Sequence, residues 1–382
     1  MTYKNIILLG ATGSIGTSTL NLIRKKPEKF NLIGVSTYEK TEQLKLISKE
    51  FNVKNVCFFK NDQGTSFDES VKVMKGHQGL LELASLNCDI VVSGISGLAG
   101  LMPAYMALNN GNHIAIANKE PLVVAGNILI ECSKKNNVKI LPVDSEHNSI
   151  FQCFVNNLRE NISHITLTAS GGPFLNRPLN SFKEITTEQA LKHPNWEMGK
   201  KISIDSATLI NKALEVIEAG FLFELKSNQI NVVIHPESII HGLVHYKDGS
   251  VLANLAMPDM ISPLSVAIGH PLRYNLDLPK LDLVEISQLS FSKPNLKKFP
   301  GLNYGWHALN GPNYVPIILN SANEIAVDLF LKKRINFISI IEIIDKCLND
   351  QKFNSANSLE EVLEIDKLSR LFAKKIAEKF YV

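Results

Sequence analysis

The chain is poor in cysteine, in net charge and in uninterrupted apolar sequence, and each shortage removes a class of function. Its 382 residues hold five cysteines: Cys57, Cys88, Cys132, Cys153 and Cys347, scattered with no CxxC pair. That spacing excludes a disulfide framework and a zinc knuckle and predicts a reducing compartment. Lys and Arg number 40 against 37 Asp and Glu, a formal net charge of +3. So small an excess argues against nucleic acid or an anionic membrane as the main partner. No apolar run approaches the roughly 18 residues of a membrane span. The first run, Ile6 to Leu9, meets glycine at once and is too short for a signal h-region. The expectation is a cytoplasmic protein. What remains, 45% hydrophobic and 20% charged, is the balance of a soluble globular protein, and the length predicts more than one domain.

Residues 1–143 alternate short β-branched strands with helical stretches. Strands are expected at Asn5–Leu9, Asn31–Ser36, Asn55–Phe59, Ile90–Ser93, His113–Ala117 and Lys139–Val143. Helices are expected at Gly16–Lys25, near Thr41–Glu50, near Ser66–Lys75 and from about Leu122. Such alternation implies a parallel, doubly wound sheet. Residues 144–270 read as a mixed α+β domain, with strands at His164–Ala169, Val232–His235 and Val251–Leu255, a helix at Asp205–Ala219, and a loop at 192–201. Residues 271–310 are proline-rich and irregular, a connector. Residues 311–382 carry apolar side chains at helical spacing, for example Ile325, Leu329, Ile340 and Ile344, and predict a small helical domain.

Six motifs carry chemistry. Gly10-Ala11-Thr12-Gly13-Ser14-Ile15-Gly16 lies between a strand and a helix, where glycines let the backbone approach a pyrophosphate at the helix N-terminus, a Rossmann-type arrangement. Cofactor choice is read after the second strand, in Ser36-Thr37-Tyr38-Glu39-Lys40: Ser36, Thr37 and Lys40 suit a 2′-phosphate, Glu39 a 2′-hydroxyl. Asn118-Lys119-Glu120 closes another strand at the ligand edge, or else starts a solvated helix. Asp144-Ser145-Glu146 places two carboxylates for a hard divalent cation, or else caps a helix starting near His147. In the Asp205–Ala219 helix, Asn211, Lys212 and Glu215 share one face: a third metal carboxylate with two anion-holding groups, or a surface salt bridge. Asp205 or Ser206 is the expected N-cap. Ser170-Gly171-Gly172 suits an anion nest, and His193 to Gly199 a water-excluding lid or a hydrophobic anchor.

Taken together, GATGSIG, ANKE, VDSEH, TASGGPF, HPNWEMG, DSATLINKALEVIEA, HPESIIHGLV, PDM and NSANEIAV closely resemble the 1-deoxy-D-xylulose 5-phosphate reductoisomerase family. The resemblance implies an N-terminal NADPH domain, a central catalytic domain with a flexible lid, a C-terminal helical domain and a homodimer. It implies that Thr12, Gly13, Ser14 and Ile15 line NADPH, with Asn118, Glu120 and Gly199 further along it; Ser36 joins them as a cofactor candidate on the chemistry of the second-strand end alone. Asp144, Glu146 and Glu215 become ligands of Mg²⁺ or Mn²⁺, with Co²⁺ a further candidate. Ser145, Ser170, His193, Ser206, Asn211, Lys212 and Glu215 become contacts to a phosphorylated ketose, under a lid of Trp196 and Met198. Lys119, Glu146 and His193 are the catalytic candidates, and His241, Pro258 and Met260 are further carry-overs. Against the family pattern, Glu197 replaces a small residue, Gly242 and His245 replace Ser and Glu, and Ile261 replaces Arg after PDM. Two competing classes are a semialdehyde-type dehydrogenase, which needs a nucleophilic cysteine such as Cys153, and a non-catalytic dinucleotide sensor.

Overall fold

Ile6, Ile7, Leu8 and Leu9 are fully buried, as a strand covered on both faces must be. A computed structural model describes residues 3–60, 64–154, 159–196 and 198–382. Two compact units are present, and neither is contiguous. The first comprises Met1–Pro121, Leu129–Asn148 and Asp259–Pro279; the second comprises Leu122–Ile128, Ser149–Pro258 and Lys280–Val382.

The first unit begins β1 (Lys4–Leu9), α1 (Ser14–Lys25), β2 (Phe30–Thr37), α2 (Thr41–Glu50), β3 (Asn55–Phe58), β4 (Lys72–Lys75) and α3 (Gly76–Ala84). It continues with β5 (Ile90–Ser93), α4 (Leu101–Asn109), β6 (His113–Ile116), α5 (Glu120–Lys135, part of which belongs to the second unit) and β7 (Ile140–Pro142). The seven strands are parallel in the order β4-β3-β2-β1-β5-β6-β7. Strand order reverses between β1 and β5, so ligands are directed to the carboxyl ends of those two strands. The helix expected over Ser66–Lys75 is corrected: Lys72–Lys75 is the edge strand β4, and the helix begins at Gly76, whose φ of 65° turns the chain.

α6 (Ser145–Cys153) leads into the second unit, which contains β8 (Ile162–Ala169), α7 (Thr187–Ala190), α8 (Lys200–Thr208), α9 (Ile210–Leu222), β9 (Ile230–Ile234), β10 (Ile240–Tyr246) and β11 (Val251–Leu255). Its sheet runs β11-β10-β8-β9, with β8 and β9 parallel and the other pairs antiparallel. The single helix expected over Asp205–Ala219 is corrected to two. Leu209 adopts a left-handed conformation (φ 59°, ψ 12°) and ends α8, and α9 starts at Ile210. Asp205 is therefore inside α8 rather than an N-cap. α10 (Ile261–Gly269) returns to the first unit and packs on α1. After α11 (Leu283–Ile286) and α12 (Asn303–Asn310), the helices α13 (Val315–Leu331), α14 (Phe337–Asp350) and α15 (Leu359–Ala377) pack together around buried Ile340, Ile344, Val362 and Ala373.

Candidate active site

The glycine motif turns at the end of β1. Gly10 has φ 83°, and a Cβ there would lie 2.7 Å from the Gly94 carbonyl oxygen at the end of β5. A Cβ on Gly16 would lie 2.4 Å from the Ala11 carbonyl, so only glycine lets α1 sit this close to the strand end. Gly13 precedes the first residue of α1, and no side chain caps that N-terminus. The backbone N–H groups there are left to meet an anion. Ser36 is buried and its Oγ accepts from Gly10 N–H at 3.1 Å; Thr12 and Thr37 hydroxyls pair at 2.6 Å. Ser36 and Thr37 thus brace the loop from below. Beyond them Tyr38 stacks on Phe59 (ring centroids 5.5 Å apart), and the Lys60 ammonium lies 5.2 Å from the Tyr38 ring. Asn118 is buried and tied to β5, its Oδ1 accepting from Ser93 Oγ at 2.9 Å.

Asp144 caps α6: its Oδ1 accepts from Glu146 N–H at 3.2 Å, and its carbonyl accepts from Asn148 N–H at 2.8 Å. Capping and metal readings are compatible here, because the cap is what turns Glu146 back beside Asp144. A ligand oxygen of each lies within 4.8 Å of the other, a separation one divalent ion can span. Lys119 Nζ stands 3.0 Å from Asp144 Oδ2, and Ser145 Oγ donates to Glu146 Oε2 at 2.6 Å. Sequence reading gave His147 only as the start of a helix; the structure buries it fully, with Nδ1 3.1 Å from Asp144 Oδ1. Its only signal was the i+3 spacing from the cap.

In the second unit, Asn211, Lys212 and Glu215 do share a face of α9. Asn211 Nδ2 donates to Glu215 Oε1 at 2.5 Å, and Lys212 pairs with Glu215. Lys212 and Glu215 are 3% and 1% exposed, which excludes the surface-salt-bridge alternative. A fully buried ion pair is weak support for stability alone.

Ser170 follows β8 at a turn of two left-handed glycines, Gly171 (φ 86°) and Gly172 (φ 68°). His193 Nδ1 accepts from Asn195 N–H at 3.2 Å and Trp196 N–H at 3.0 Å. The ring proton must then sit on Nε2, where it donates to Ser170 Oγ at 3.0 Å. Gly172 N–H donates to the same oxygen at 3.2 Å. With both lone pairs used, the Ser170 hydroxyl has its own hydrogen left to give. A Cβ on Gly172 would meet the Ser206 carbonyl oxygen at 2.8 Å, so this turn packs directly on Ser206. The expected lid is tethered: Asn195 Nδ2 donates to the Pro236 carbonyl at 2.7 Å, and the Trp196 ring lies 6.2 Å from that of His241. Met198 is half-buried, Gly199 precedes α8, and Glu197 lies outside the described residues. Cys153, the nucleophile a semialdehyde-type enzyme would need, is buried, and burial pushes the thiols of Cys57, Cys88 and Cys347 up to about 12.

Known proteins extend this picture over the whole chain. Residues 6–126 match the family model for 1-deoxy-D-xylulose 5-phosphate reductoisomerase, residues 140–223 that for its C-terminal domain, and residues 255–372 that for the DXP reductoisomerase C-terminal domain. The 1-deoxy-D-xylulose 5-phosphate reductoisomerase of Clostridium tetani is 46% identical over 385 residues, covering 99% of this chain and all of that one. Its counterpart in Thermoanaerobacter pseudethanolicus is 42% identical over 382 residues, covering 99% of each. The Zymomonas mobilis enzyme in complex with NADPH superposes with a TM-score of 0.92 at 36% identity, over 99% of this chain and 100% of that one. A DOX-P reductoisomerase in complex with NADPH, fosmidomycin and magnesium gives 0.92 at 38% identity, over 98% of each chain. With likeness of this strength from end to end, the chain belongs to the 1-deoxy-D-xylulose 5-phosphate reductoisomerase family.

Proposed function

We propose that this chain converts 1-deoxy-D-xylulose 5-phosphate to 2-C-methyl-D-erythritol 4-phosphate, using NADPH and a divalent cation, in the non-mevalonate route to isoprenoids. The observation that carries the reading is the buried Asn211, Lys212 and Glu215 set on α9, in a chain of this family. The first unit takes the dinucleotide: Gly10 and Gly16 let the turn and α1 close tightly on the strand ends, and the α1 N-terminus, which no side chain caps, fits a pyrophosphate. Thr12, Gly13, Ser14 and Ile15 lie along it, with Asn118, Glu120 and Gly199 toward the nicotinamide. Asp144, Glu146 and Glu215 are the metal ligands, a hard oxygen set suited to Mg²⁺ or Mn²⁺.

The reaction breaks the bond between carbons three and four and joins carbons two and four, giving a branched aldehyde that is then reduced. When bound, the cation supplies Lewis acidity at the ketone and neighbouring hydroxyl, and NADPH supplies the hydride. The chain's own residues do the rest. Glu146 takes the proton from the hydroxyl on carbon four. Lys119, 3.0 Å from Asp144 Oδ2, balances the clustered carboxylates. Ser145 contacts the substrate, and Ser170, Ser206, Asn211 and Lys212 grip its phosphate, holding the fragments in register. His193 fixes the Ser170 hydroxyl, while Trp196 and Met198 exclude water.

The enzyme acts as a homodimer in the cytoplasm. Val251 and Leu252 on the edge strand β11 are exposed apolar side chains that a second copy would cover. Among the described residues no helix is long and apolar enough to cross a membrane. The test is NADPH oxidation followed spectrophotometrically with the ketose phosphate, in metal-stripped buffer and after addition of Mn²⁺. Metal-dependent oxidation is expected. Its absence from folded protein, or inactivation by alkylation of Cys153, would refute the reading.

A further inference from the structure

The NSANEIAV stretch lies within α13, and its Asn320, Ser321 and Asn323 are fully buried. Burying amides is costly unless they are partnered. Asn323 Nδ2 donates to Asp205 Oδ1 at 2.8 Å. The other oxygen of Asp205 pairs with Lys201 Nζ at 2.8 Å. Asp205 itself is 1% exposed. Stability alone is a weak reason for a carboxylate there: Lys201 is only half-buried, and buried ion pairs can often be exchanged for apolar side chains without loss.

Its surroundings give a better reason. Asp205 precedes Ser206, on whose carbonyl the Gly172 turn packs. Thr208, at the end of α8, donates its hydroxyl to the Asp205 carbonyl at 3.1 Å. The left-handed Leu209 then redirects the chain into α9, where Asn211, Lys212 and Glu215 stand. Lys201, for its part, is the last residue of the 192–201 lid segment and lies in the first turn of α8. The Asp205 carboxylate therefore links the lid's exit, through Lys201, to α13, through Asn323, and the residue that carries it is the chain neighbour of Ser206.

We infer that Asp205 is a positioning residue, held between Lys201 and Asn323, that fixes α8 so that Ser206 and the end of the lid keep the geometry of the phosphate pocket. Asn323 is its anchor in α13. This role rests on the assignment of Ser206 and the lid to a phosphorylated substrate.

The test uses the full chain and three variants: Asp205→Asn, Asn323→Ala, and the exchange D205N/N323D, which reverses the direction of the amide–carboxylate hydrogen bond. Affinity for inorganic phosphate is read by calorimetry, affinity for NADPH by fluorescence, and folding by circular dichroism. Each single change is expected to weaken phosphate binding about tenfold or more and to leave NADPH affinity within about twofold, with the exchange recovering most of the loss. Unchanged phosphate affinity in both single variants would overturn the inference. So would a parallel loss of phosphate binding, NADPH binding and fold, or an exchange no better than the single changes. Because phosphate binding needs no turnover, failure of the unaltered chain to act on the ketose phosphate would sink the proposed reaction and still leave Asp205 testable.

Discussion

Replacement of Ser170 by alanine separates binding from folding at one atom. The Ser170 hydroxyl accepts from His193 Nε2–H at 3.0 Å and from Gly172 N–H at 3.2 Å. Its hydrogen is directed by elimination toward whatever occupies the nest. Ser170 is half-buried, so water can take over both incoming bonds in Ser170→Ala, and the fold should lose about 1 kcal/mol or less. A hydrogen bond to a phosphate dianion is worth more, about 1.5–3 kcal/mol. That range corresponds to a loss of roughly 10- to 150-fold in affinity for the phosphorylated substrate. The assay is steady-state kinetics with the ketose phosphate varied at saturating NADPH, alongside thermal unfolding. A rise in KM with little change in melting temperature is expected, with Ser170→Thr intermediate because it keeps a hydroxyl. An unchanged KM, accompanied by a fall in melting temperature, would show that the hydroxyl only braces the turn and would refute the tautomer argument for His193.

Glu215→Gln should weaken Mn²⁺ binding by at least about tenfold and abolish measurable turnover, since an amide is a poorer ligand for a hard cation. Calorimetry checks the first and NADPH oxidation the second, and full activity in metal-stripped buffer would contradict both. With Ser36 and Thr37 committed to the loop, Lys40 and Lys60 are the cations we propose for the 2′-phosphate of NADPH. Lys60→Ala should therefore weaken 2′,5′-ADP about fivefold or more while sparing 5′-AMP, the loss being one charge-assisted contact. His113, at the start of β6, and His270, after α10, contribute to stability in mild acid. Burial, and then the charges of Lys139 and Lys4, hold both imidazoles below their ordinary 6.5. The unfolded chain takes up these protons first, so their contribution is complete above about pH 6.5 and lost as pH falls below it. His113→Gln keeps an acceptor for Lys139 N–H, now 2.9 Å from Nδ1, and should flatten the decline in melting temperature below about pH 6.5.

The parts of the molecule legible in the sequence are those where one local rule acts alone. β1, α1 and the glycine turn follow from burial period and backbone freedom, and the α9 face from i, i+3 and i+4 spacing. The failures occur where two rules compete. Phe67, Val71 and Met74 fall at helical spacing, yet Met74 is the single buried residue of a short edge strand paired to β3. Short apolar patterns do not decide between the two periods. Leu209 offers no sign of its left-handed backbone, a conformation that side chains disfavour and that packing must impose. Ser36 has the chemistry of a phosphate ligand; its burial beneath Gly10 is a matter of register. Asp205 reads as a helix cap until Asn323, 118 residues later, is brought against it.

The interleaving of the two units bears on how the chain is made. α1 is complete by residue 25, but α10, which packs on it, ends only at residue 269. Lys4 is likewise held by the carbonyls of Ile268 and His270, at 3.0 and 2.7 Å. During synthesis the parallel sheet must wait for about half of the second unit to emerge before α10 arrives to cover it. A ribosome stalled before α10 should display that sheet with apolar surface still open, a natural substrate for chaperones.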